Sequence, residues 1–180
     1  MRIIGGTYRG KKLFTPNSDN IRPTSDRARE AIFNILRSRL KQSFSQLKLI
    51  DLFCGTGAFS LEAISQGFSF VCSVDIDTKL MQKNASLFPN ETNKIQIIQA
   101  DATQKISTNS KFDILFQDAP YNKGLSEKAI LNVAPLLNHE ALCLIEIHKN
   151  EKIDLPPNFS IIDERQYGIA KIIIAQYLMK

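Results

Sequence analysis

The sequence lacks an apolar run of about 18 residues, the length that a membrane-spanning helix needs. Its first residues, MRIIGGTYRGKKLF, are basic and interrupted by glycines, so they also lack the apolar segment of a secretory signal. Low-complexity runs are absent, while 43% of the 180 residues are hydrophobic. We therefore expect a soluble cytoplasmic protein that folds as a single domain over residues 1–180 and has no membrane partner.

Cysteine and histidine are scarce, which argues against a disulfide framework and against a metal centre. The three cysteines are far apart, odd in number and placed in apolar stretches, at Cys54, Cys72 and Cys143. The two histidines, His139 and His148, have no partner at metal-ligand spacing. We expect reduced core cysteines, a reducing compartment and no bound metal.

Acidic residues are sparse in the first quarter of the chain, where basic residues dominate. The net charge is +5, yet residues 1–41 carry ten basic and three acidic side chains, and the remainder carries 13 basic and 15 acidic ones. Such an asymmetry is typical of a segment that faces a polyanion. We therefore divide the domain into a basic arm and helix, residues 1–41, for nucleic-acid contact, and a core over residues 47–180.

The basic segment contains two short apolar stretches, Arg2–Ile4 and Lys11–Phe14, on either side of GGTYRG. A glycine-rich connection of this kind is typical of a small hairpin or a flexible arm. A helix is predicted next, with Thr24 or Ser25 as its cap. Its apolar residues recur at helical spacing, at Ala28, Ala31, Ile32, Ile35, Leu36 and Leu40.

From Leu47 onward the sequence alternates between strand and helix patterns. The strand patterns are LKLIDLF, FSFVCSVD, KIQIIQA, FDILFQD, ALCLIEI, FSIIDERQY and AKIIIAQYLM, and the helix patterns are AFSLEAIS, TKLMQKNASLF and EKAILNVAPLL. This alternation predicts an α/β fold with a mostly parallel, seven-stranded sheet and helices on both faces. The last two strands form a closing pair that turns at Gly168, which predicts an antiparallel C-terminal strand.

Carboxylates lie at the carboxyl ends of four successive predicted strands. They are Asp51, Asp75, Asp101 and Asp118. Ligands of parallel α/β sheets bind beyond these strand ends. Because like charges repel, a fold needs no such cluster for its own stability, and we expect a binding site there.

The turn CGTG after the first strand predicts how a ligand approaches this edge. Gly55 and Gly57 lack a Cβ that would obstruct the ligand, and Asp75, about 20 residues further on, suits the two hydroxyls of a ribose. A dinucleotide fingerprint would have glycine or alanine where this chain has Ser60. Asp51 would also place negative charge near a phosphate, so a ligand with a cationic or amino-rich end is favoured over a nicotinamide dinucleotide.

Taken together, RIIGGTYRGKKL, RPTSDRAREAIFNIL, DLFCGTGAFSLEAISQG and DAPY resemble the motifs of the RsmD family, nearly end to end. These enzymes are guanine-N2 methyltransferases of bacterial small-subunit (16S) ribosomal RNA. The resemblance implies a Rossmann-like class I methyltransferase fold, S-adenosylmethionine as cofactor, and a specific guanine of ribosomal RNA, within an assembled ribosomal particle, as substrate. A monomer is the default expectation.

The resemblance also implies roles for individual residues. Those that would bind the cofactor are Asp51, Phe53, Gly55 and Gly57 around the methionine part, Asp75 and Ile76 at the ribose, and Asp101 with Ala102 at the adenine. Those that would contact RNA are Arg9, Lys11, Lys12, Arg22 and Arg27.

The residues Asp118, Ala119, Pro120 and Tyr121 occupy the place of the family's catalytic Asp/Asn-Pro-Pro-Tyr/Phe motif. An exocyclic amine gains positive charge as it attacks a sulfonium methyl group, and a carboxylate (Asp118) and a backbone carbonyl (Ala119) can accept hydrogen bonds from its two N–H groups and stabilise that charge. Tyr121 would stack on a base that has left its helix. Alanine replaces the family's first proline at position 119, which keeps the carbonyl and loses backbone rigidity.

Two other functions are compatible with the sequence. An adenine-N6 DNA methyltransferase uses the same acid-Pro-Pro-aromatic chemistry, although this chain has no large domain for target recognition. A cofactor-binding and RNA-binding protein with impaired catalysis is the second, and the alanine at position 119 is the feature that favours it.

Overall fold

The computed structural model describes residues 1–16, 26–40 and 42–179. Within these ranges the helices are α1 (Asp26–Arg39), α2 (Ala58–Ser65), α3 (Lys79–Ala85) and α4 (Leu125–Val133). The strands are β1 (Lys48–Leu52), β2 (Phe70–Asp75), β3 (Ile95–Gln99), β4 (Phe112–Asp118), β5 (Leu137–His148), β6 (Phe159–Tyr167) and β7 (Ala170–Tyr177). The predicted cap residues Thr24 and Ser25 lie outside the described residues.

The strands form one seven-stranded sheet in the order β3-β2-β1-β4-β5-β7-β6. Strands β1 to β5 are parallel, and β7 runs antiparallel to both β5 and β6. The predicted fold class, sheet size and antiparallel C-terminal strand are therefore confirmed. Because the strand order reverses between β1 and β4, the carboxyl ends of these two strands border a crevice.

Several element boundaries agree with the sequence patterns, and two helices end earlier than predicted. Helix α3 ends at Ala85, and a 3₁₀ turn over Pro89–Lys94 leads into β3. Helix α4 ends at Val133 and is followed by a 3₁₀ turn, Ala134–Leu136. Pro135 explains the second change, because its ring would clash with the carbonyl group four residues earlier and it has no N–H to donate.

Hydrophobic side chains cover both faces of the sheet. One cluster packs against α4 and includes Leu115, Ala129 and Ile130. The other packs against α1 and α2 and includes Phe33 and Phe116. Residues of the same strand contribute alternately to the two clusters, since successive side chains of a strand point to opposite faces.

The three cysteines lie in this interior, as the sequence predicts. Cys54, Cys72 and Cys143 are buried free thiols. Burial raises the pKa of all three, and that of Cys72 reaches about 12. Each therefore behaves as a small apolar side chain.

The N-terminal segment is a docked hairpin, so the alternative of a flexible arm is wrong. Its two limbs meet at an antiparallel bridge between Arg2 and Lys12. The carboxylate of Glu62, on α2, accepts hydrogen bonds from the backbone N–H groups of Ile4 and Gly5, at 2.7 and 2.8 Å. Hydrogen bonds to a charged acceptor are the stronger kind, so this hairpin is held firmly against the core.

A buried arginine links the hairpin to two helices. Arg29, on α1, is only 1% exposed, and its guanidinium donates to the Arg2 carbonyl at 2.7 Å and to Asp26 at 3.0 Å. It also lies 3.9 Å from the Glu62 carboxylate. Burial lowers the pKa of Arg29, and the two acidic neighbours oppose that shift. The positive charge of Arg29 is thus compensated inside the protein by the carboxylate of the buried Glu62.

Helices in the described part of the chain are all too short or too polar to cross a membrane.

Candidate active site

A cavity of about 650 Å³ opens at the carboxyl ends of the parallel strands. Ten of the twelve predicted cofactor-binding and catalytic residues line it, namely Asp51, Phe53, Gly55, Asp75, Ile76, Asp101, Asp118, Ala119, Pro120 and Tyr121. Parallel pairing explains this, because it brings the ends of strands distant in sequence to one edge. The structure therefore brings these predicted residues together around one cavity, and their binding and catalytic roles stay predictions.

Asp51 lies deep in the cavity wall, near the end of β1, and is 1% exposed. The Ser60 hydroxyl donates to its carboxylate at 2.7 Å, and the Ser73 hydroxyl lies 2.7 Å from that of Ser60. Burial raises the pKa of Asp51 from 3.8 to about 7, the hydrogen bonds from Ser60 lower it, and the charge of Asp75 raises it further. The cavity therefore contains a carboxyl group that titrates near neutral pH.

Asp75 ends β2 and fixes the glycine turn. One of its oxygens accepts a hydrogen bond from the Gly55 N–H at 2.8 Å, and the other accepts from the Asp77 N–H at 3.1 Å. A carboxylate has about four acceptor positions, so two backbone bonds do not exhaust it. The carboxylate can thus orient the turn and also bind hydroxyl groups in the cavity.

The two glycines of the turn have different roles, which corrects the sequence prediction. A Cβ on Gly55 would meet open space, whereas a Cβ on Gly57 would lie 1.7 Å from the Met81 sulfur. Both residues have positive φ, +50° and +73°. Gly55 faces open space, whereas a methyl group at position 57 would displace the buried Met81 side chain of α3.

Asp101 and Ala102 were both expected to contact an adenine ring, and they occupy different places. Asp101 is exposed on the cavity wall, and the Thr103 hydroxyl and N–H, at 2.7 and 2.8 Å, lower the pKa of its carboxyl group. Ala102 is 1% exposed and packs in the core cluster under the sheet edge. The apolar surface of the cavity wall includes Ile76, which is 70% exposed.

The DAPY segment begins at the last residue of β4, Asp118, and lines the cavity. Asp118 and Tyr121 are partly buried, Ala119 is buried, and Pro120 is exposed. The Tyr121 hydroxyl donates to the Glu146 carboxylate at 2.8 Å. Its ring also meets the His148 ring edge-on, at a centroid distance of 5.7 Å. The tyrosine ring is therefore fixed at the mouth of the cavity.

Glu146 is a lining residue that sequence reasoning missed. It lies on β5, is 4% exposed and is the register partner of Asp118 on β4. A signal existed, since Glu146 is the one charged residue within the apolar pattern ALCLIEI, close to the end of its strand. Arg29 also lines the cavity, and no local pattern distinguishes it from the exposed arginines of α1.

The predicted RNA-contacting residues differ in their exposure and in their contacts within the protein. Arg9, Lys12 and Arg27 are exposed. The ammonium group of Lys11 instead donates to the Leu87 carbonyl at 2.7 Å and lies over the rings of Tyr8 and Phe88. Lys11 is thus engaged inside the fold, and Arg22 lies outside the described residues.

Acidic side chains gather in the cavity without forming a recognisable metal site. Among residues 1–16, 26–40 and 42–179, no group of three or more His, Cys, Asp or Glu side chains is arranged to hold a metal ion.

Comparison with known proteins identifies relatives along the whole chain. A family model described as "Conserved hypothetical protein 95" matches residues 1–176. The "Ribosomal RNA small subunit methyltransferase D" of Haemophilus influenzae is 29% identical over 98% of this chain and 93% of that protein. The Escherichia coli protein of the same name is 31% identical over 93% of this chain and 85% of that protein. The solved structure of the "putative methyltransferase yhhF" from Escherichia coli matches with a TM-score of 0.83 at 28% identity, covering 99% of this chain and 98% of that one.

Proposed function

This chain belongs to the RsmD family of ribosomal RNA methyltransferases, and we propose that it transfers a methyl group from S-adenosylmethionine to the exocyclic N2 amine of a guanine in small-subunit ribosomal RNA. One observation carries the proposal beyond family membership. The Asp118 carboxylate and the DAPY backbone line the same cavity as Asp75 and the open turn at Gly55. Groups suited to a nucleoside-type cofactor and groups suited to an amine substrate therefore face one space.

The residues of the cavity fit S-adenosylmethionine. When bound, this cofactor supplies an electrophilic methyl group on a positively charged sulfur. Asp51 and Asp75 provide negative charge and acceptors for its cationic and hydroxyl groups. The exposed Ile76 side chain offers an apolar surface for a flat ring.

The DAPY segment accounts for activation of the amine. Asp118 and the Ala119 carbonyl each accept a hydrogen bond from one N–H of the amine and stabilise the positive charge that develops on nitrogen. As the N–CH3 bond forms and the S–CH3 bond breaks, one proton leaves the nitrogen and the other N–H remains in the product. Tyr121 positions the base by stacking against its face. Alanine at position 119 supplies the same carbonyl oxygen as the family's proline, so the acceptor pair is retained.

Substrate RNA would reach the cavity across the basic N-terminal surface. Arg9 and Lys12, on the docked hairpin, and Arg27, on α1, are exposed for phosphate contact, while Lys11 holds the hairpin in place. The relatives' names support an RNA substrate over the DNA alternative. An assembled small-subunit particle as substrate, a cytoplasmic location and a monomeric state belong to the same proposal.

The direct test is transfer of a labelled methyl group to small-subunit particles that lack the modification, followed by identification of the methylated nucleoside. We expect N2-methylguanosine. Asp118→Ala should reduce turnover by roughly 10²–10³ while cofactor affinity stays within about twofold, because the charge it stabilises appears in the transition state. Asp154→Ala, which removes an exposed carboxylate distant in sequence from the motif, is the matched control.

The variant Ala119→Pro separates an active enzyme from an impaired one. Since proline fixes φ and keeps the carbonyl, activity should be equal or higher. Activity that appears only in Ala119→Pro would establish impaired catalysis in the native chain. Methylation of adenine in place of guanine would contradict the proposed substrate.

A further inference from the structure

Two carboxylates on neighbouring strands line the cavity, and the proposed chemistry uses only one. Asp118 and Glu146 are register partners on the parallel strands β4 and β5. Such partners lie about 4.8 Å apart along the hydrogen-bonding direction and point to the same face of the sheet. Both line the cavity. The second carboxylate is therefore within reach of whatever group Asp118 binds.

The position of Glu146 is rigid. Its neighbours in the strand, Ile145 and Ile147, are buried in the core, and Glu146 is also paired with Ile172 of β7. The Tyr121 hydroxyl donates to one of its oxygens at 2.8 Å. Burial of a carboxylate is costly unless hydrogen-bond donors surround it, and a carboxylate has about four acceptor positions. The carboxylate can therefore accept from a substrate N–H in addition to the interactions that it already makes.

Guanine presents two adjacent kinds of donor on its Watson–Crick edge, the ring N1–H and the exocyclic N2 amine. Adenine presents its N6 amine beside an N1 atom that carries a lone pair. Two neighbouring carboxylates match the guanine edge, because each faces a donor. The same pair would repel the N1 lone pair of adenine, or the N3 lone pair of a guanine bound in the opposite orientation.

We propose that Glu146 determines base specificity by accepting the N1–H of the target guanine while Asp118 accepts from its N2 amine. This inference rests on the proposed function and adds to it the group that distinguishes guanine from other amine-bearing purines. The hydrogen bond from Tyr121 orients the Glu146 carboxylate, and the stacked ring fixes the plane of the base.

A substrate that lacks the N1–H provides the test. 2-Aminopurine keeps the amine at C2, carries a lone pair at N1 and has hydrogen in place of O6, and the Glu146 variants separate the effect of N1 from that of O6. It is placed at the target position by ligation of synthetic and transcribed RNA, and the RNA is assembled into small-subunit particles. Methyl transfer to guanine and to 2-aminopurine particles is compared for the native protein, Glu146→Gln, Glu146→Asp and Tyr121→Phe.

The native protein should prefer guanine, and Glu146→Gln should reduce that preference by roughly 10- to 100-fold, the value of one hydrogen bond to a charged acceptor. Glu146→Gln should lower kcat/KM for the guanine particles and leave kcat/KM for the 2-aminopurine particles unchanged or raised. Glu146→Asp, which keeps the charge, should retain part of the preference. Tyr121→Phe removes the hydrogen bond that orients Glu146 but leaves the acceptor, so it should lose less of the preference than Glu146→Gln.

Three results would overturn the inference. A native protein that methylates both bases equally needs no N1–H acceptor, and this result is available even if Glu146→Gln does not fold. If Glu146→Gln lowers kcat/KM equally for both substrates, Glu146 only positions Tyr121 and does not discriminate between bases. A loss of preference in Tyr121→Phe as large as in Glu146→Gln would place the discrimination in the tyrosine. A native product other than N2-methylguanosine would contradict the proposed function itself, and the nucleoside analysis distinguishes that case.

Discussion

The carboxyl group of Asp51 should make the stability of the ligand-free protein depend on pH near neutrality. Burial raises its pKa from 3.8 to about 7, against the opposing hydrogen bonds from Ser60. The perturbation is Asp51→Asn, which keeps the size of the side chain and an oxygen that can accept from the Ser60 hydroxyl. The variant lacks only the titration.

The sign follows from proton binding. Well below pH 4 the Asp51 carboxyl group is protonated in both the folded and the unfolded chain, and its contribution to the free energy of unfolding is fully present. As pH rises toward 7, the unfolded chain releases a proton that the folded protein retains, so the free energy of unfolding falls by about 1.4 kcal/mol per pH unit. Over the whole interval between the two pKa values, 3.8 and about 7, the loss from Asp51 is about 4 kcal/mol. Above the folded-state pKa no further loss occurs.

Equilibrium unfolding in urea measures this effect. The chain contains no tryptophan, so far-ultraviolet circular dichroism is the suitable probe. Between pH 5 and pH 8 the free energy of unfolding of the native protein should fall by about 3 kcal/mol relative to that of Asp51→Asn. Parallel pH profiles of the two proteins would refute a raised pKa for Asp51.

The same titration predicts proton release on cofactor binding. The positive sulfonium and ammonium groups of S-adenosylmethionine favour the ionised carboxylate, so binding below pH 7 should displace the proton of Asp51. Calorimetric binding heats of the native protein should then vary with the ionisation enthalpy of the buffer, and those of Asp51→Asn should not. Buffer-independent heats for the native protein at pH 6 would contradict a protonated Asp51 in the free enzyme.

Two further predictions follow from the glycine turn and from the basic surface. Gly57→Ala should destabilise the protein by about 2–5 kcal/mol, since the new methyl group meets the Met81 sulfur and φ at this position is positive. Gly55→Ala meets no neighbouring atom, so it should cost only the strain of a positive φ, about 1–2 kcal/mol. Thermal unfolding compares the two, and equal losses would refute the packing role of Gly57. Replacing Arg9 and Lys12 together by Ala should weaken RNA binding and lower its salt slope by about one unit per lost phosphate contact, with cofactor affinity unchanged. An unaltered salt slope would show that these side chains are solvated surface only.

The sequence alone determined the architecture and the position of the site. Alternating apolar patterns predict α2 and β4 with the bounds that the structure has. Such predictions work because a strand buried on both faces and a helix with one apolar face impose local periodicities. Carboxylates at the ends of successive parallel strands must meet at one edge, so the sequence places Asp75 and Asp118 at the same edge of the sheet.

The tertiary structure decided which groups work together across long separations in the chain. Arg29 resembles any helix arginine in sequence, and only the packing of α1, α2 and the hairpin buries it beside Glu62. Lys11 is one basic residue among several until the hairpin docks and brings its ammonium group to the Leu87 carbonyl. Neither pairing has a local signal, because both depend on how separate elements pack.

Strand register decided the most important contact. Asp118 and Glu146 are 28 residues apart in sequence, and they face the same cavity because parallel pairing aligns them. A shift of one residue in β5 would turn the glutamate to the opposite face of the sheet. The sequence provides both carboxylates, but the alignment comes from hydrogen bonds between strands and from core packing, and neither can be derived from one strand alone.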